Sequence, residues 1–233
     1  MIKNILITKS QERSKEITKF LASKGFVPFN EPLFKIQKLD DKEKFAEKKY
    51  SFAIITSSNA IEHMAYSGLD KNIKIYTVGK KTTEKLVNQG FINVFYPQEQ
   101  NAFALNNLIL QQEKPNFGLY FHGSIVSFDF KKELENFNFK ITNILSYQTF
   151  ENEEFSQNLL NFTKTEKFDQ ILIFSENSLK IFFKLAKKHN LLEYFKQSKI
   201  LVMSEKILIQ AKNLGFSNSQ IFADFPILKN FYD

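Results

Sequence analysis

YSFAIITSSNAI, residues 50–61, aligns without a gap on FDQILIFSENSL, residues 168–179, and the shape the two share decides the fold. In the first copy a short apolar run, 52–55, stops at Thr56, Ser57, Ser58 and Asn59. In the second, an equally short run stops at Ser175, with Asn177 and Ser178 close behind. A brief, unbroken apolar run reads as a strand buried on both faces, the habit of parallel strands covered by helices. The polar stop, followed by a new apolar period, predicts a passage from strand through loop to helix at both places.

Outward from these copies the repeat grows. KIYTVGKKTTEKLVNQGF (74–91) matches KILVMSEKILIQAKNLGF (199–216), both ending in Gly-Phe. ILITKSQERSKEITKFLASKGF (5–26) has a looser echo in GLYFHGSIVSFDFKKELENFNF (118–139). The chain therefore reads X–Y–X′–Y′, where X is a strand–helix–strand unit and Y carries the polar strand end. Strands are expected at 4–8, 52–56, 74–78, 94–96, 117–121, 140–143, 170–174, 199–203 and 220–222. Between them lie amphipathic stretches such as SKEITKFLASKGF (14–26), where Ile17, Phe20 and Leu21 form one helical face before a stop at Gly25. This alternation predicts an α/β protein of two similar parallel-sheet domains, each needing one X and one Y. NEPLFKIQKLD (30–40) and LSYQTFENEE (145–154) are short extended stretches that precede charged helical segments, and they are the expected crossings. Side by side they would form a two-stranded hinge, short and ordered because no Gly/Ser-rich linker occurs.

Composition narrows the function. With 233 residues, 43% of them hydrophobic, the chain can build one large core or two small ones. The absence of cysteine excludes a disulfide framework and any thiolate metal site, and fits a reducing compartment. No apolar run reaches the roughly 18–20 residues of a membrane span, and MIKNILITKS (1–10) has no signal-peptide pattern. A cytoplasmic protein without membrane contact is expected. The formal net charge of +7 suits an anionic partner, although a Lys-rich composition accounts for it equally. Arg13 is the sole arginine, which argues against a duplex reader built on arginine forks; no nucleic-acid partner is expected.

In a parallel α/β sheet, ligands bind beyond the carboxyl ends of the strands. That places Thr56, Ser57, Asn59, Ser175 and Asn177 where side chains and helix N-terminal N–H groups attract carboxylate or phosphate. The same residue types are favoured helix N-caps, and capping needs no ligand. Gly79 closes the next strand, Lys80 and Lys81 bring charge, and Thr82 enters a helix; glycine there permits close backbone approach. The counterpart loop has Ser204 for the glycine and Ile207 for the threonine, so the two halves are not expected to contribute equally. No dinucleotide fingerprint, P-loop or nucleophile elbow occurs. His63, His122 and His189 lack metal spacing, and His122, at a strand end beside Gly123, is the one placed to face a cleft. Tyr147, in the second crossing, offers a phenol that is neutral at pH 7, since unperturbed tyrosines titrate near pH 10. A buried ring with a satisfied hydroxyl is the alternative. Neither a cofactor nor a metal is expected.

Taken together, these residues resemble the uroporphyrinogen-III synthase family. The resemblance rests on 5–26 as quoted, IITSSNAI (54–61), YTVGKKTTEKLVNQGF (76–91), VFYP (94–97), SYQTF (146–150) and FSENSLKIF (174–182), in the family's order and spacing. It implies two α/β domains joined by a two-stranded ladder, with the active site in the cleft between them. It also implies a discontinuous first domain, 1–33 plus 152–233, a second at 38–146, and hinge strands at 34–37 and 147–151. The implied activity is cyclisation of hydroxymethylbilane to uroporphyrinogen III, with loss of water, inversion of the last pyrrole ring and no cofactor. A polycarboxylate substrate suits a Lys-rich site lined by N–H groups, and the task is mainly one of positioning. By resemblance Tyr147 is the proton donor, and Ser57, Asn59, Thr82 and Ser175 lie on substrate-proximal loops. Lys9 stands where a basic residue often follows the first strand. Ile207 departs from the family's threonine, and His122 from a frequent arginine. A monomer acting on a small molecule is expected. The rival readings are a two-domain protein that closes on an anion without chemistry, and a nucleotide-dependent transferase or basic nucleic-acid module.

Overall fold

A computed structural model describes residues 3–9, 11–39, 45 and 50–222, with the side chains of 11–13 left aside. The charged stretch expected to be helical after residue 40 lies outside the described residues. The chain opens with β1 (Lys3–Ile7), α1 (Gln11–Ser23), β2 (Phe26–Asn30) and β3 (Phe34–Lys38). It continues through β4 (Phe52–Ile55), a 3-10 turn (Ser58–Ala60), α2 (Ile61–Tyr66), β5 (Lys74–Thr77), α3 (Lys80–Asn88), β6 (Val94–Phe95) and α4 (Ala102–Gln112). Then come β7 (Phe117–Gly123), α5 (Phe130–Glu135), β8 (Lys140–Glu151) and α6 (Gln157–Thr165). The last elements are β9 (Gln170–Ile173), α7 (Glu176–Lys188), α8 (Leu192–Lys196), β10 (Lys199–Val202), α9 (Glu205–Asn213) and β11 (Ser219–Ile221).

These elements form two compact units, Met1–Lys35 with Phe150–Asp233, and Ile36–Thr149. In unit 1 the strand order is β11-β10-β9-β1-β2, every neighbouring pair parallel. In unit 2 it is β3-β8-β7-β4-β5-β6, parallel from β8 to β6. The two orders superimpose: β1 corresponds to β7, β2 to β8, and β9, β10, β11 to β4, β5, β6. Each sheet therefore reverses direction once, between β1 and β9 or between β7 and β4. At such a switch point neighbouring loops diverge and leave a crevice at the carboxyl edge.

The cores show why the strands read as unbroken apolar runs. Leu6 of β1 packs with Ile171, Ile173, Val202 and the helices α7 and α9, while Ile5 and Ile7 face α1 through Ile17 and Leu21. In unit 2, Ala53, Ile55, Leu119 and Phe121 pack beneath α2 and α3; Phe52, Ile54 and Tyr120 pack beneath α4 and α5. Both faces of each sheet are covered, and each fully buried Leu, Ile or Phe contributes about 1.5–3 kcal/mol.

The quoted Gly-Phe pairs end helices. Gly90 and Gly215 hold φ of +88° and +90°, and the next residues, Phe91 and Phe216, donate their N–H back to Leu86 and Ala211. This is the six-to-one bond of a Schellman stop. In the looser echo Asn138 (φ +64°) takes the glycine's place, followed by Phe139 bonding to Leu134; asparagine tolerates the left-handed region better than most residues. Two expectations need correction. The strand Phe26–Asn30 was not among those expected, and the strand expected at 140–143 runs on to Glu151. Polar Thr142, Asn143 and Ser146 hide this continuity, yet backbone pairing with β7 carries the strand through Tyr147.

Candidate active site

At the switch point of unit 2, β4 ends at Ile55, just before Thr56, and β7 at Gly123. Ser57 is extended (φ −142°, ψ 140°), buried, and accepts a bond from Asn59 N at 3.3 Å, so it caps the 3-10 turn. Thr56 is half-buried beside the buried phenol of Tyr120. Burial pushes that phenol above its ordinary range; the Thr56 hydroxyl partly offsets the effect, while Tyr147 and Asp129 lie near enough to oppose ionisation. The His122 ring lies tilted against Tyr120, centroids 5.0 Å apart, and its Nδ1 donates to Gly123 O at 2.8 Å.

Tyr147 reaches the same carboxyl edge from β8. The register runs His122 to Leu145 and then Gly123 to Tyr147, so Ser146 is the extra residue of a bulge. Plain alternation would put Ile144 and Tyr147 on opposite faces; the bulge brings both against the core below α2 and α3. The half-buried Tyr147 ring then lies across Gly123, where a Cβ would fall 2.7 Å from Oη and closer still to Cε2 and Cζ. Sequence reading named Tyr147 but missed Tyr120 and the reason for Gly123. Alternation within LYFHG (119–123) puts Tyr120 and His122 on one face, and that signal was present.

The next loop carries Gly79, extended (φ −151°, ψ 165°), ahead of α3. Gly79 has no side chain to cap the helix; Gln100 accepts from Lys80 N at 3.2 Å. Thr83, one position beyond the expected Thr82, is turned inward, sharing a 2.7 Å bond with Thr77 and donating to Gly79 O. Thr82 itself is half-buried.

At the switch point of unit 1 the Lys9 ammonium sits 5.0 Å over the Phe174 ring. Ser175 caps α7 by accepting from Ser178 N at 3.1 Å, and the two hydroxyls lie 2.8 Å apart. Asn177 is exposed on the first turn of α7, inside the helix and not in the loop where it was expected. Ser204 caps α9 in the same way, accepting from Ile207 N, and the Ile207 side chain is buried in the core. Among the described residues no group of three or more His, Asp or Glu is placed to hold a metal ion. Nor is any helix among them long and apolar enough to cross a membrane.

The family model described as uroporphyrinogen-III synthase HemD matches residues 5–224. This chain belongs to the uroporphyrinogen-III synthase family. It is accordingly a cyclising lyase of porphyrin and haem biosynthesis, acting on a small-molecule tetrapyrrole precursor. Among solved structures it is similar to uroporphyrinogen-III synthetase from Helicobacter pylori, with 14% identity over 94% of this chain and 92% of that one and a TM-score of 0.62. It is also similar to a mutant uroporphyrinogen III synthase from the extreme thermophile Thermus thermophilus, with 12% identity over 91% and 89% and a TM-score of 0.54. At these identities the likeness is one of fold: the family's α/β architecture. No curated protein sequence matches the chain.

Proposed function

We propose that the chain converts hydroxymethylbilane to uroporphyrinogen III with Tyr147 as the proton donor. The placement of the Tyr147 hydroxyl at the carboxyl edge of unit 2, beside the polar end of β4, is the observation that carries this reading. Tyr147 passes its proton to the departing hydroxyl, which leaves as water, and the substrate becomes an electrophilic azafulvenium cation opposite the phenolate. The substituted carbon of the terminal pyrrole attacks it to give a spiro intermediate. One bond of that ring opens, and reclosure on the other carbon gives the inverted ring. The proton lost on rearomatisation restores the phenol. General acid assistance of this kind contributes about 10²–10⁴ in rate, and the remainder of the task is to hold the chain ends for the crowded attack.

Carboxylates of the substrate are taken in unit 2 by Thr56, Ser57, Asn59, His122 and the Gly79–Thr82 turn, where two lysines precede Thr82. In unit 1 we assign carboxylate contacts to Lys9, Ser175 and Asn177. We place the enzyme in the cytoplasm as a monomer that takes no nucleic-acid partner. Incubation with enzymatically made hydroxymethylbilane tests the reading: type III product must exceed the type I isomer that forms unaided. Tyr147→Phe is expected to lower turnover about a hundredfold, within the ordinary range for loss of a general acid, with an unchanged thermal midpoint. Full turnover in that variant would remove the phenol from the reaction.

A further inference from the structure

We propose that Gly123 and Ser124 form the positioning device for Tyr147, fixing where its hydroxyl stands; this rests on the reading of Tyr147 as the proton donor. Gly123 is not in the left-handed region, unlike Gly25, Gly68, Gly90 and Gly215, so backbone freedom does not explain it. What it supplies is space, because the phenol covers the place a Cβ would occupy. Tyr147 faces that space only because the bulge at Ser146 reverses the phase of β8. Ser124 then clamps the strand beyond the bulge. Its N–H donates to Tyr147 O at 3.0 Å, and its Oγ accepts from Thr149 N at 3.0 Å. Glycine, bulge and clamp together leave the ring a single seat.

Strand β7 contains a second crowded glycine that serves as the control. A Cβ at Gly118 would meet the Phe52 ring and Ile141 Cδ1 within 3.0 Å, deep in the core and with no part of Tyr147 among its nearest neighbours. Crowding alone would make Gly118→Ala and Gly123→Ala behave alike.

Steady-state formation of uroporphyrinogen III by the full chain separates the possibilities. Gly123→Ala should lower kcat at least tenfold with KM within twofold of the parent. Gly118→Ala should lower the unfolding midpoint and leave kcat per folded molecule unchanged. In a Tyr147→Phe background Gly123→Ala should cost less than a further twofold, because the hydroxyl it misplaces is already gone. A full tenfold loss in that background, or parental kcat in Gly123→Ala, overturns the proposal. Should Gly123→Ala fail to fold, Ser124→Ala decides: it keeps the glycine and the backbone bond to Tyr147, removes the hydroxyl bond to Thr149 and should lower kcat at least threefold, and parental kcat there also overturns the proposal. Tyr147→Phe with parental turnover would instead remove the donor reading itself, whatever Gly123 does.

Discussion

The N-termini of α3 and α9 occupy the same place in the repeat and are put to opposite uses. Their first residues have nearly the same backbone: Gly79 at φ −151°, ψ 165° and Ser204 at φ −146°, ψ 160°. In α9 the serine hydroxyl accepts from Ile207 N, Glu205 stands in the first turn, and Ile207 packs into the core. Each of these choices stabilises the helix. In α3 the N-cap residue has no side chain, the Gln100 oxygen accepts from Lys80 N in its place, no acid stands in the first turn, and Lys80 and Lys81 stand against the positive end of the helix dipole. A surface lysine so placed costs a few tenths of a kcal/mol or more. Local rules are broken where something else is gained, and under the proposed function the gain is attraction for a substrate carboxylate. The repeat keeps the frame in both units; one copy caps its helix from its own serine, and the other, on the proposed reading, turns its helix end to the substrate.

Three substitutions break or sharpen this contrast. Ile207→Thr restores the residue type found at the matching position of unit 2, and should cost about 2 kcal/mol of stability, because it removes buried methyl groups and buries a hydroxyl. Urea unfolding reads that loss, and KM should stay within twofold; a fall in KM would make the second loop a substrate contact and end the contrast. Reversing Lys80 and Lys81 to Glu should raise KM about tenfold, roughly 1.4 kcal/mol, and the effect should shrink as salt is added. The fold should be slightly more stable, since acids suit the first turn of a helix. Unchanged KM would mean that the α3 turn holds no carboxylate.

Much of this arrangement was legible before any coordinates, for physical reasons that can be named. Buried strands announce themselves because both faces of β4 and β9 are covered, and a helix stop needs a left-handed residue, so Gly90 and Gly215 mark equivalent ends. The capping reading of Ser57 and Ser175 was equally open to inspection, and both hydroxyls do accept from helix-turn N–H groups. What stayed hidden depends on register. The bulge at Ser146 changes which face Tyr147 occupies, and nothing in SYQTF reveals one extra residue in a ladder. The crowding at Gly123 comes from a strand partner distant in sequence, so the residues around it do not show it. The alternation that pairs Tyr120 with His122 was legible, but the reach of its hydroxyl to Thr56 was not.

The smallest expected effect is the most discriminating, because it sets two caps of unit 1 against each other. Ser175 and Ser204 each accept one bond from the third residue of their helix, and each helix carries a glutamate in its first turn. Replacing either serine by alanine should cost about 1 kcal/mol, the ordinary worth of an N-cap. The Ser175 hydroxyl also bonds that of Ser178, so its loss should cost slightly more, and it is substrate that tells the two apart. Ser175 stands at the switch point beside Lys9 and Phe174, where strand order reverses; Ser204 stands one strand further out, at the end of β10. Ser175→Ala should raise KM about threefold on top of its stability loss, while Ser204→Ala should leave KM alone. Equal KM values for the two variants would show that the switch point of unit 1 holds nothing, and that unit 2 alone recognises the substrate's carboxylates.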